Sequence, residues 1–186
     1  MMLPVQWNTD RLLLRDVTEA DSARLLAIFN ANAHIGVWDP TFQPIPLAEM
    51  DDLVATSLAR RNARGDTFQM QALCWGEGHA RAGEIIGYYH LVFGAPQPDL
   101  IWIGMLVLDP SAQKGGCGSE GLAGLGGQLR ALGAYRAAWV EVWLKNWPAL
   151  RLWAKAGFDR IIKFCGDPTL TPDGHASVVL EQELRG

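Results

Sequence analysis

Cysteine is scarce in this sequence: Cys74, Cys117 and Cys165 are the only three, an odd set with no CxxC pair. That scarcity excludes a disulfide framework and a cysteine-based zinc cage, and it suits a chain kept in a reducing compartment. Long apolar runs are also missing. No stretch approaches the roughly 18 consecutive apolar residues of a membrane span, and the opening Met1-Met2-Leu3-Pro4-Val5-Gln6-Trp7 has no basic segment leading into an apolar one. A cytoplasmic protein with no membrane partner and no metal is the expectation. Positive charge is never concentrated either. The formal net charge is -4, and the only short basic cluster, Arg60-Arg61, reads as a solvated helix face. Duplex nucleic acid, whose phosphates need a clustered basic surface, is excluded as a partner, whereas a mildly acidic protein favours encounter with a cationic amine.

Apolar residues, by contrast, suffice for a core. With 49% hydrophobic and 19% charged residues over 186 positions, the composition is that of a soluble folded chain. The length suits a single domain over 1–186. Arg11-Leu12-Leu13-Leu14-Arg15-Asp16-Val17 reads as a strand, and Thr18 and Asp21 have the spacing of a helix N-terminus. That helix carries Ala23, Leu26, Ala27 and Asn30 at helical spacing; a second starts after Pro46 and runs through Met50, Leu53, Val54 and Leu58. Three β-branched and aromatic runs follow, 68–75, 85–93 and 101–108, separated by turn residues and read as an antiparallel meander. The pattern then changes: a Gly-rich turn, a helix ending near Gly133, a strand over 138–143, and a helix opening near Asn146 with Pro148 in its first turn and Gly157 at its end. A last strand runs over 177–184. The fold expected is α/β (α+β): a mixed, largely antiparallel six- or seven-stranded sheet with helices on both faces. The segments 34–46 and 167–174 are the candidate lid or specificity segments.

Gln113-Lys114-Gly115-Gly116-Cys117-Gly118-Ser119-Glu120 lies between a strand and a helix. Glycines allow positive φ and close approach of an anion, and the free N–H groups of the helix's first turn complete a phosphate cradle. Four further glycines, Gly121, Gly124, Gly126 and Gly127, sit inside the helix, where each costs about 0.5–1 kcal/mol relative to Ala. Tight packing against the sheet, cofactor contact and an irregular segment all remain open as the compensation. Gly116-x-Gly118-x-x-Gly121 also matches the dinucleotide fingerprint, with Glu141 20 residues beyond its last glycine. Against that match, 109–115 intervene after the strand, and three antiparallel strands come first.

Two motifs then carry a resemblance. Val107-Leu108-Asp109-Pro110 followed by Gln113 to Gly118 is similar to the Q/R-x-x-G-x-G/A pyrophosphate loop of the GNAT superfamily of N-acetyltransferases. Asn146 to Phe158, with Ala149, Leu152, Gly157 and Phe158 in register, is similar to that family's N-x-x-A-x-x-L-Y-x-x-x-G-F helix. The opening Thr9-Asp10-Arg11-Leu12-Leu13-Leu14-Arg15 resembles the branch that contains the ribosomal-protein N-terminal acetyltransferases. The resemblance implies a GNAT-like sheet with splayed central strands, and an acetyl-CoA-dependent enzyme that acetylates a primary amine, of a protein N-terminus or a small molecule, by direct attack. It implies that Leu106, Val107 and Leu108 offer backbone to the pantetheine arm, that Gln113, Lys114, Gly115, Gly116, Cys117, Gly118 and Ser119 hold the diphosphate, and that Asn146 and Trp153 meet the cofactor from the other side. A backbone N–H near Val107 would stabilise the oxyanion.

An ammonium ion must lose a proton before it attacks, so a base is useful. Glu141, in a V-E-V context five residues before Asn146, resembles the base of the family's N-terminal acetyltransferases. Trp153 stands where many relatives carry a Tyr that protonates the departing thiolate, and indole N–H cannot do so. Tyr88, Tyr89 and His90 are the substitutes in view. His34, Trp38 and Asp39 are candidates for an aromatic and acidic acceptor pocket. Trp102, Trp139 and Trp143 read as core or dimer-surface residues, and Cys117, between glycines, as an exposed thiol. The apolar last strand raises the expectation of a homodimer. A non-catalytic acyl-CoA-binding module and a nicotinamide-dependent oxidoreductase remain the alternatives.

Overall fold

The β-branched and aromatic runs at the centre of the sequence become the middle of the sheet in the computed structural model, which describes residues 1–169 and 171–185. Strands β3 (Thr67–Trp75), β4 (Ile85–Phe93) and β5 (Leu100–Leu108) form the expected antiparallel meander. On one side they continue into β2 (Leu12–Asp16) and β1 (Gln6–Asn8). On the other, β5 pairs in parallel with β6 (Ala137–Trp143), followed by β8 (Ala176–Glu183) and β7 (Arg160–Gly166). The order is β1-β2-β3-β4-β5-β6-β8-β7.

The sheet has eight strands where six or seven were expected, and two of the eight, β1 and β7, have no counterpart among the runs read from the sequence. Strand β1 has three residues, too few to show alternation in the sequence. Strand β7 is an edge strand with most of its residues exposed, so burial imposes no period on it. It also changes the standing of the apolar C-terminal strand. Residues of β8 from Ser177 to Gln182 are buried between β6 and β7, so their apolar character is explained inside the chain and not by a partner. On β7, by contrast, the apolar side chains of Ile161, Ile162 and Phe164 are exposed.

Helices cover both faces. Thr18 and Asp21 cap the start of the first helical segment as their spacing implied, with the Thr18 amide donating to Asp21 Oδ2 at 2.7 Å. Helices α1 (Ser22–Asn30) and α2 (Leu47–Leu58) then bury Leu25, Ile28, Phe29, Met50 and Val54 against Met70, Ala72, Tyr88 and Val107. On the opposite face α3 (Cys117–Leu132) and α4 (Trp147–Lys155) bury Leu122, Leu125, Leu129 and Trp153 against Leu12, Leu73, Ile101, Ile103 and Val140. Arg60, at the end of α2, is not free on a solvated face but pairs with Asp16.

The α3 glycines divide by what surrounds them. A Cβ on Gly124 would lie 2.7 Å from the Trp7 ring and 2.8 Å from Thr9, and one on Gly121 would lie 3.0 Å from Leu73. Close approach of helix to sheet therefore compensates the helical cost at these two positions. Nothing stands within 4 Å of such an atom on Gly127, which is exposed.

A polar anomaly lies within the α1–α2 side. Tyr88 is buried with no partner for its hydroxyl among the described residues, and burial pushes its phenol well above the ordinary value. His90 shares its face two residues on. Its ring is half-buried against Phe68, its Nδ1 is buried without a partner, and desolvation lowers the imidazole to about 4.

Gly127→Ala is expected to raise the unfolding free energy by about 0.5–1 kcal/mol, whereas Gly124→Ala, which presses on a ring already fixed in the core, is expected to lower it by about 1–3 kcal/mol. Urea denaturation measures both. His90 gives a pH signature. The unfolded imidazole takes its proton near pH 6.5 and the folded one only near 4, so the unfolded state binds more protons between these values and stability falls as the pH drops. The fall should be on the order of 1 kcal/mol per pH unit between pH 6 and pH 5, above the carboxylate range, and His90→Gln should flatten it. A slope that persists in the variant would assign it to another group.

Candidate active site

A glycine and a histidine govern the geometry at the centre of the sheet. His90 faces Met105 and Leu91 faces Ile103, so Gly104 is an extra residue on β5, a bulge. A Cβ on Gly104 would lie 1.7 Å from His90 Nε2, because the imidazole occupies the space a side chain would need. Pairing between β5 and β6 runs from Leu100 and Ala137 to Ile103 and Val140 and ends there. Beyond that point β5 follows β4 while β6 follows β8, and two open backbone edges face each other across a gap.

The gap is a cleft of about 290 Å³. Gly104 to Val107 form one wall, Val140 to Trp143 the other; α4 contributes Asn146, Ala149 and Trp153, and α1 with the segment after it contributes Phe29, Ile35, Asp39, Thr41 and Phe42. A larger hollow of about 440 Å³ opens near the β7–β8 turn between Lys145, Phe164, Cys165 and His175. It contains neither the bulge nor the parted strands, and the chemistry-bearing residues converge on the smaller cleft.

After β5, Asp109 starts a 3₁₀ turn over Pro110–Ala112, accepting from the Ser111 amide at 2.9 Å and holding Arg24 at 2.8 Å. This turn separates strand from helix and removes the tight strand-to-helix bend that the dinucleotide fingerprint uses. Lys114 and Gly116 have positive φ of 62° and 85°, and Gly116 is the N-cap of α3. The amides of Cys117, Gly118 and Ser119 then point out of the helix end, with no acceptor among the described residues. Three free amides at the start of a long helix are a geometry that can accept an anion.

Side chains at this bend differ from expectation. Gln113 turns inward: its Nε2 donates to Asn32 Oδ1 at 2.9 Å and to the Leu108 carbonyl at 3.1 Å. Buried Asn32 donates to that same carbonyl at 3.0 Å, so the Leu108 oxygen is already occupied. Cys117 is 1% exposed, packed in the core with Leu122, and not the exposed thiol its glycine neighbours suggested; its side chain points under the helix while its amide faces out. Glu120, one turn into α3, accepts from the Thr9 hydroxyl at 2.5 Å, the Arg11 amide at 2.7 Å and Arg11 Nε at 2.6 Å. Partial burial pushes its carboxyl up, but the hydrogen bonds from Thr9 and Arg11 outweigh that and hold it below its ordinary value.

Across the cleft, Asn146 caps α4 by accepting from the Ala149 amide at 3.2 Å. Trp153 is buried edge-on to Phe158, with ring centroids 4.9 Å apart. Glu141 is exposed on the cleft wall and accepts a hydrogen bond from buried Ser177 of β8. Of the acceptor-side candidates only Asp39 lines the cleft; His34 is exposed and makes an edge contact with Trp38 at 5.8 Å. Tyr88, Tyr89 and His90 are not among the residues lining it: Tyr88 packs behind Phe29 and Val107, Tyr89 donates to Gln71 at 2.5 Å, and the His90 ring lies against Gly104. Trp102, Trp139 and Trp143 are half-buried, with Trp143 on the cleft wall and the Trp139 indole donating to Glu181 at 2.6 Å.

Asn32, Phe29, Phe42 and Ser177 had no individual signal in the sequence, since each reaches the site only through the packing of α1 and β8. Arg11 was visible within the opening motif, but not its position at the bend. Among the described residues no group of three His, Cys, Asp or Glu could hold a metal, and no helix is long and apolar enough to cross a membrane.

This architecture has relatives. Residues 11–159 match the family described as the acetyltransferase (GNAT) domain. No curated protein matches the chain in sequence. Among solved structures, the acetyl transferase of Salmonella typhimurium that modifies the N-terminal serine of the 50S ribosomal subunit protein L7/L12 superposes with a TM-score of 0.73 at 18% identity, covering 97% of this chain and 98% of that one. A ribosomal L7/L12 alpha-N-protein acetyltransferase in complex with coenzyme A gives 0.73 at 17% identity, with 98% of each chain covered. An acetyltransferase from Thermus thermophilus gives 0.68 at 17% identity, covering 95% and 99%. At these identities the solved structures establish the fold, and the family match over most of the length establishes membership: the chain belongs to the GNAT acetyltransferase domain family.

Proposed function

We propose that the protein transfers acetyl from acetyl-CoA directly to a primary amine, with the protein N-terminus as the favoured acceptor class. The observation that carries this is the cleft between β5 and β6, which has the Glu141 carboxylate on one wall, while β5, its other wall, leads on past Leu108 to the Gly-rich bend with its free amides. The free amides of residues 117–119 suit the cofactor's diphosphate, and the two open strand edges suit the amides and carbonyls of a pantetheine arm. In this reading the loop from Gln113 to Ser119 binds the diphosphate through its backbone, while Gln113 acts through its bonds to Asn32 and Leu108. Leu106 and Val107 meet the pantetheine from one wall, and Asn146 and Trp153 from the other.

The amine nitrogen attacks the thioester carbonyl, a C–N bond forms, and the C–S bond breaks with departure of the thiolate. Glu141 takes the proton of the attacking ammonium, directly or through one water, and the Ser177 hydroxyl orients it. An unpaired β5 amide near Val107 stabilises the oxygen as it gains charge. No hydroxyl stands at 153 to protonate the thiolate, so the leaving group departs as the anion or takes a proton from water; its ordinary pKa of about 8–9 permits this. Much of the rate enhancement then comes from positioning. The activity of two structural neighbours on a ribosomal protein's N-terminus supports a peptide acceptor, and Asp39 with Glu141 on the cleft supplies negative charge for its ammonium group.

Isothermal titration should detect acetyl-CoA binding to the purified protein, and a thiol-release assay with N-terminal peptides should show turnover. Binding without thiol release from any amine would favour a non-turnover acyl-CoA module, a reading that Trp153 supports. Glu141→Gln should lower kcat on the order of 100-fold or more while leaving acetyl-CoA affinity within about twofold, and it should remove the acid limb of the pH–rate profile. An unchanged profile would take Glu141 out of the mechanism.

A further inference from the structure

Anion cradles made of backbone carry only partial charge, so a diphosphate with two full negative charges is held better where a cation stands beside the amides. The bend at Gly116 has such a cation. Arg11 comes from the turn between β1 and β2, far away in sequence, and its side chain lies along the start of α3. Its Nε donates to Glu120 Oε2 at 2.6 Å and its Nη1 to the Gly115 carbonyl at 3.1 Å. Nη2 hangs directly over the bend, 3.2 Å from where a Cβ on Gly116 would stand. The guanidinium has five N–H groups, and those of Nη2 meet no acceptor among the described residues. The side chain is 50% exposed, so its unpartnered Nη2 is not sealed from an incoming anion.

Glu120 explains why this arginine is fixed and not merely nearby. A carboxylate one turn into α3 would repel a diphosphate at the helix end, yet Thr9, the Arg11 amide and Arg11 Nε surround it. That arrangement neutralises the acid and points the remaining guanidinium edge at the bend. Lys114, the other cation at the loop, is exposed and makes no ion pair among the described residues, so nothing orients its ammonium group. Gly116 is favoured by its positive φ, and a Cβ there would also press on Nη2.

We propose that Arg11 is the side-chain cation of the cofactor's diphosphate, held over the Gly116 bend by Glu120 and contacting a phosphate oxygen through Nη2. This rests on the acetyl-CoA reading above and adds a residue outside the loop motif.

Isothermal titration of coenzyme A and of 3′-dephospho-coenzyme A into wild type, Arg11→Gln, Arg11→Lys, Glu120→Gln and the Arg11→Gln/Glu120→Gln double variant tests it, with thermal melting to confirm folding. Arg11→Gln should weaken both ligands on the order of tenfold or more, because a charge-assisted hydrogen bond is lost in each. Arg11→Lys, which keeps the charge but not the fork, should lie between Arg11→Gln and wild type. Glu120→Gln, which breaks the same ion pair but leaves the cation, should weaken binding by less than threefold. Several results would overturn the proposal. An equal loss in Glu120→Gln would mean that only the fold was disturbed. Wild-type affinity in the double variant would mean that Arg11 merely neutralises Glu120. A loss confined to coenzyme A would move the contact to the 3′-phosphate. Wild type that binds neither ligand would instead refute the acetyl-CoA reading itself.

Discussion

The molecule depends on one local irregularity, the bulge at Gly104. An extra residue on β5 bends the strand and raises its twist, and pairing with β6 stops at the residue before it. His90 makes the bulge specific. Its ring fills the space beside Gly104, so that position admits no side chain, and the histidine accepts burial of an unpartnered Nδ1 to stay there. The cleft follows from this. Two strands that would otherwise satisfy each other's backbone are held apart, and their orphaned N–H and C=O groups face a space that a ligand of amides and carbonyls can fill.

What keeps the parted strands from closing is the pairing on their outer sides. Strand β5 is tied to β4 as far as Leu108, and β6 to β8 as far as Trp143. The bend at the cleft's end is fixed separately, by bonds that cross the chain. Asn32 at the end of α1 joins Gln113 at the carbonyl of Leu108, and Arg24 of α1 joins Asp109. The helix that contributes Phe29 to the cleft thus also anchors the start of the Gly-rich bend. Thr9 and Arg11 tie the β1–β2 turn to the other side of the same loop through Glu120. Helix α3 approaches that turn closely enough to require glycine at 124.

Much of this was legible before any coordinates. Alternation and β-branching marked β2 to β6 and β8; Thr18, Pro148 and Gly157 marked helix ends; the glycines marked the bend before α3. Strands β1 and β7 escaped because one is too short for a period and the other too exposed to have one. The thiol of Cys117 was misjudged from its neighbours, since glycine on both sides says nothing about which way a helical side chain points. Glu141 was correctly placed on a half-open strand, but its contact with Ser177 required the β6–β8 register.

The sequence by itself determined the order of the main elements, the place of the Gly-rich bend and the family, because those depend on residue type and spacing along the chain. Helical period, turn chemistry and glycine freedom are local properties. Tertiary structure alone decided that the splay of β5 from β6 begins at Gly104, that Gln113 faces inward to Asn32, and that Arg11 reaches the bend at Gly116. Each of these joins segments distant in the chain, and their distances are set by strand register and side-chain packing, which no local pattern encodes.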